Sequence, residues 1–161
     1  MNAVAVSFAA VAAGLWAGIL LCIAALAAPS AFATLASADA GRFVGRLFMQ
    51  EAYLSLAVAI VLFVIERQRT RQGVVAGAVS IFSANLVLLL GTLFCTVAGY
   101  FAVQPMMVAA RAGQGTVSFM TLHAVSGGLF ALKGLLVLAL AWRLTSPAGL
   151  PRQPSSAAKT S

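Results

Sequence analysis

The stretch 74–103, VVAGAVSIFSANLVLLLGTLFCTVAGYFAV, decides the fold class of this chain. It sits inside an interval from Arg71 to Arg111 whose interior carries no charged side chain. About 20 apolar residues suffice to cross a bilayer as a helix. Working outward, three further apolar runs occupy Val4–Ala28, Leu47–Ile65 and Val117–Ala141. The sequence therefore predicts an all-α integral membrane four-helix bundle, with helices at about 4–28, 47–65, 74–103 and 117–141. These form one domain, 1–145, followed by a Pro-, Ser- and Ala-rich tail, 146–161, expected to be a disordered cytoplasmic segment.

Composition points the same way. Charged residues make up 8% of the chain, against about 25% in soluble proteins, and mean hydropathy is +1.03. So little polar surface cannot cover four long apolar runs in water. The net charge of +7 is not a nucleic-acid footprint, because the cations gather at the ends of apolar runs. Arg67, Arg69, Arg71, Arg143, Arg152 and Lys159 fall on one face, while Arg42, Arg46 and Arg111 fall on the other. Lys/Arg excess marks the cytoplasmic side, so both termini are expected inside. The first run lacks a basic leader and has Pro29 directly after the Ala-x-Ala-like site Leu26-Ala27-Ala28, and is read as a membrane helix rather than a cleaved signal. A bacterial cytoplasmic membrane is the expected location, with the bilayer itself as partner and no nucleic acid.

Local signals set expected boundaries. Pro29 is expected to end the first helix and open a short Ala-rich one, because the residue before proline avoids helical geometry. Asp39 is a candidate N-cap for the second helix. Gln104-Pro105 is expected to end the third. No repeat of the first helix pair in the second pair is apparent. Gly14, Gly18 and Cys22 recur every four residues on the first helix, and Gly91, Cys95 and Gly99 on the third. Small residues at this spacing let helices approach closely in lipid. Facing seams would make Cys22 and Cys95 neighbours; seams turned outward would instead join a second copy or a membrane protein partner.

Polar groups within membrane helices are costly and need partners. Glu51 and His123 are each expected about one turn inside their helices from the same face, which suits a hydrogen-bonded, titrating pair, histidine being the side chain that changes charge near neutral pH. Asn85 and Lys133 are expected as a second, mid-membrane pair. Cys22, Cys95 and His123, with Met49, Met106, Met107 and Met120 nearby, are soft donors of the kind that suit copper; no resident cofactor is otherwise expected. No nucleophile–base–orienter set is apparent, so the chain is not expected to be an enzyme.

Taken in order, Ala28-Pro29-x-x-Phe32, Gly45-Arg46-Leu47-Phe48 with Tyr53, Gln104-Pro105 and Phe119-x-x-x-His123-x-x-Ser126 resemble a four-helix bacterial membrane domain of unknown function related to animal transmembrane protein 205. The resemblance implies four membrane helices and no established activity. The animal relative's association with resistance to platinum drugs implies soft-metal or vesicular traffic, and Gln104 and His123 are the positions the resemblance carries over. Together these readings outline a polar site of Arg46, Glu51, Tyr53, Gln104, His123 and Ser126, serving transport of a small solute or soft metal, or stress resistance. The alternative is a non-catalytic scaffold assembling through the glycine seams.

Overall fold

A computed structural model describes residues 3–75 and 83–146. Among them are four helices long and apolar enough to cross a membrane. Helix α1 runs over Ala3–Cys22, passes through a π turn at Ile23–Ala27 and resumes as Ala28–Thr34. Helix α2 is unbroken over Ser37–Val75. Helix α3 comprises Ala84–Thr96, a π segment Val97–Val103 and Gln104–Arg111. Helix α4 spans Phe119–Thr145.

The two prolines do not end their helices. In a regular α-helix a proline ring collides with the carbonyl one turn earlier and removes a backbone donor. Here each proline follows a π segment, Ile23–Ala27 before Pro29 and Val97–Val103 before Pro105. The wider turn shifts the hydrogen-bond register: the N–H of Ala28 reaches back to the carbonyl of Ile23. Each proline then occupies the first turn of the α-helix that resumes, where its missing N–H costs nothing. Both helices thereby exceed their expected ends, at Thr34 and Arg111.

Helix α2 likewise exceeds 47–65 at both ends. Asp39 lies within its first turn and pairs with Arg42 rather than capping. Beyond Ile65 the helix continues through a polar turn tied by Thr70 to the carbonyl of Glu66 and by Arg69 to its carboxylate. Val74 and Val75, assigned by the sequence to the third helix, therefore end α2; residues 76–82 and the tail from 147 lie outside the described residues. Ser118 caps α4 by accepting from the N–H of Thr121, and Ser83 caps α3 by accepting from the N–H of Leu86.

Each helix packs on two neighbours, α1 on α2 and α4, and α3 on α2 and α4. Late α2 meets early α3 at Glu66 and Asn85, and late α4 meets early α3 at Arg143 and Asn85, so adjacent helices are antiparallel. Consequently α1 and α3 stand on one diagonal, α2 and α4 on the other. One half of the bundle is a shared apolar core built from Trp16, Leu20, Leu62, Leu89, Val137 and Leu140 among others. In the other half the core divides. Ala31, Ala40 and Val44 pack within the α1–α2 hairpin, and Val103, Met107 and Leu122 within the α3–α4 hairpin. The outer surface is studded with exposed Phe8, Leu15, Phe94 and Leu135, a covering for lipid rather than water.

The diagonal arrangement separates the glycine seams. A Cβ on Gly91 would lie 3.1 Å from Leu136, and one on Gly99 3.7 Å from Leu129, both on α4. Gly14 and Gly18 have nothing within 4 Å. The α3 seam thus serves α4 and the α1 seam faces outward, so the two do not face each other.

Candidate functional site: a buried ion pair on the floor of a cavity

Between the two hairpins runs a cavity of about 200 Å³. Its walls come mainly from the faces of α2, α3 and α4, with Phe32 from α1. Arg111 and His123, both exposed, lie toward the end where the hairpins diverge. Glu51, Cys95 and Lys133, all buried, lie toward the shared core. The cavity therefore begins where the core divides and stops where the core closes.

On its floor the Lys133 ammonium donates to Glu51 Oε2 at 2.6 Å. Glu51 Oε1 accepts from the Ser55 hydroxyl, whose oxygen accepts from Trp16 Nε1 at 2.8 Å. Trp16, Ser55, Glu51 and Lys133 are 1%, 1%, 4% and 4% exposed, so three helices contribute to one buried polar chain. A lone charge at mid-bilayer costs roughly 2.5–3.5 kcal/mol on insertion scales; here each charge is matched and both carboxylate oxygens are occupied. Lys133 retains capacity. An ammonium carries three donors, one is committed to Glu51, and Nζ also lies 5.2 Å from the Phe130 ring centroid.

This pairing corrects both expected polar pairs. Glu51 is not one turn inside its helix. It lies fourteen residues after Ser37, as Lys133 lies fourteen after Phe119, placing the two at matching depth across the diagonal. His123 sits ten residues before Lys133, about 15 Å away along α4, near the mouth. There it stacks on Phe119, over whose ring the Arg111 guanidinium stands at 4.5 Å. Asn85 belongs to the opposite end of the bundle. It donates to Glu66 Oε1 at 3.1 Å and accepts from Arg143 Nε at 2.9 Å, while Ser83 and Arg69 complete the shell of Glu66 at 3.1 and 3.2 Å.

Of the other expected site residues, Gln104 and Ser126 line the cavity. Arg46 is exposed and does not. Tyr53 faces outward, edge-on to Tyr100 and Phe101 at 6.2 and 6.0 Å. Cys95 and His123 line the cavity, but Cys22 is exposed on α1, across the bundle diagonal from α3. Among the described residues no three His, Cys, Asp or Glu side chains come together as a metal-holding group.

Sequence reading missed Ser55, Trp16 and Glu66, and mispaired Lys133. A signal for the central pair was present. Gly45-Arg46-Leu47-Phe48-Met49-Gln50-Glu51 and Gly127-Gly128-Leu129-Phe130-Ala131-Leu132-Lys133 share Gly-x-Leu-Phe-x-x and end in opposite charges, 82 residues apart. Phe48 and Phe130 meet edge to face at 4.9 Å. The short repeat therefore places equivalent positions of α2 and α4 opposite one another.

Fold and site together define a class: an apolar four-helix bundle with a buried ion pair beneath a cavity. Residues 11–116 match the domain of unknown function DUF4149, and the chain belongs to that uncharacterised family. The matched residues end before α4, so Lys133 and His123 lie beyond them. No curated protein and no solved structure matches the chain.

Proposed function

We propose that this chain is a membrane protein that binds a small solute in the cavity between its hairpins and moves it across the bilayer, without catalysing a reaction. The observation that carries the reading is the ion pair Glu51–Lys133 on the cavity floor. Intramembrane ionisable residues that face a cavity mark substrate and ion pathways. The division of the core supports movement as well as binding. One end is held by apolar packing and by the Glu66–Asn85–Arg143 network, and the other separates into two hairpins. Rocking the hairpins about the level of the Glu51–Lys133 contact would open the Glu66 end as the Arg111 end shuts, alternating access. The distribution of arginines favours an orientation with the Glu66 end in the cytoplasm and the Arg111 end outside, and the proposed location is a cytoplasmic membrane of bacterial type.

The test uses Trp16 as reporter, in protein carrying Trp142→Phe and reconstituted into phosphatidylcholine vesicles. A saturable emission change with eight-carbon amphiphiles, abolished by filling the cavity with Gly99→Leu, supports the site. No response to any of them contradicts it.

A second reading, assembly with another membrane protein or a second copy, is favoured by one observation: Gly14 and Gly18 present an outward face with open space around them. It concerns a different surface and is compatible with the first.

A further inference from the structure

The lining of the cavity carries a charge preference. Arg111, Lys133 and Glu51 are its ionised side chains when His123 is neutral, an excess of one positive charge. Each oxygen of Glu51 already accepts from one donor, Lys133 on one and Ser55 on the other. A cationic ligand reaching Glu51 would share that carboxylate with Lys133 and would meet the two cations Lys133 and Arg111. An anion displaces nothing, because the Lys133 ammonium has donors beyond the one given to Glu51. The surroundings are otherwise largely apolar, with Phe48, Phe130 and Met107 forming walls near the floor and midway. Low-dielectric walls strengthen a charge–charge contact and penalise any ligand charge left unmatched.

We infer that the cavity selects a small amphiphilic monoanion, its head group bound by Lys133 and its apolar body held between Phe48 and Phe130. The inference rests on the cavity being a ligand site, as proposed above. Head-group recognition is the same whether the anion is a short-chain solute from water or a single-chain species from the bilayer.

The experiment uses the Trp142→Phe protein in phosphatidylcholine vesicles, titrated at pH 7 with octanoate, octanol and octyltrimethylammonium. Octanoate is expected to bind at least about tenfold more tightly than either other compound, the scale of a charge-assisted hydrogen bond. Lys133→Gln alone strands the Glu51 charge, so the informative variant is Glu51→Gln/Lys133→Gln, which buries no charge. In it octanoate should fall to the affinity of octanol while octanol is unchanged. Equal or tighter binding of octyltrimethylammonium, or octanoate binding unaffected in the double variant, overturns the anion assignment and leaves the cavity as a ligand site. Absence of binding by all three overturns both. A second arm adds oleate to the bilayer: displacement of octanoate identifies a membrane source and lack of displacement a solute source, either of which supports the ligand class.

Discussion

Lys133 Nζ and Glu51 Oε2 meet at 2.6 Å across the diagonal of the bundle, from two helices that do not adjoin in sequence. The contact joins the α1–α2 hairpin to the α3–α4 hairpin at the level where their common core gives way to a cavity. Its stability consequences follow from asymmetry. A buried pair contributes little over a well-packed apolar pair, but removing one partner leaves an unmatched charge. Glu51→Leu and Lys133→Met are each expected to destabilise by about 3–5 kcal/mol. The double variant should lose much less than the sum. Unfolding in mixed micelles by added denaturing detergent measures all three, and strict additivity would remove the coupling.

Ser55 relays between Trp16 and Glu51, so its hydroxyl satisfies two buried groups at once. Ser55→Ala is expected to cost about 1–3 kcal/mol, because both partners are left unpaired. Ser55→Cys, similar in size and with a thiol that still donates and accepts weakly, should cost less. The reverse order in the same unfolding assay would contradict the relay.

At the other end, Glu66 holds Ser83, Asn85 and Arg69, and Arg143 reaches it through Asn85. Glu66→Ala should loosen this end, raising amide exchange in early α3 and late α4 while leaving exchange at the α3–α4 turn unchanged. A uniform rise along both helices would mean that Glu66 contributes global stability rather than a local tie.

Gly91 and Gly18 make opposite predictions. A leucine at 91 would drive into Leu136 on α4 and should cost about 1–3 kcal/mol by overpacking. Gly18→Leu projects into open space, so monomer stability should hold within about 0.5 kcal/mol. If crosslinking or sedimentation then shows a lost oligomer for Gly18→Leu, the α1 face is an assembly surface. An unchanged state assigns that face to lipid.

Four long apolar runs were legible in the sequence because bilayer thickness acts on run length, a one-dimensional property. Helix ends were less legible. Pro29 and Pro105 read as terminators, yet a preceding π segment absorbs each of them, and nothing in Ile23–Ala27 or Val97–Val103 announces it. The depth of Glu51 depended on where α2 begins. Counting from the apolar run at Leu47 put it one turn in; counting from Ser37 puts it about four turns in. That error paired Glu51 with His123 and Lys133 with Asn85. The polar residues were therefore recognisable by type, whereas their partners required the diagonal order of the helices. The Gly-x-Leu-Phe-x-x repeat carried that order, in too few residues to stand out from an Ala- and Leu-rich background.

The proposed function turns on an aqueous cavity that descends between the hairpins to the middle of the bundle. Gly99 and Val97 lie two residues apart in the π segment of α3, Gly99 lining the cavity and Val97 exposed on the outer surface. In protein lacking Cys22 and Cys95, Gly99→Cys and Val97→Cys would be exposed in intact vesicles to a small, membrane-impermeant thiol reagent. Gly99→Cys is expected to be modified at least about tenfold faster, since a thiol in lipid forms little of the reactive thiolate. Equal rates, or faster modification of Val97→Cys, would contradict it.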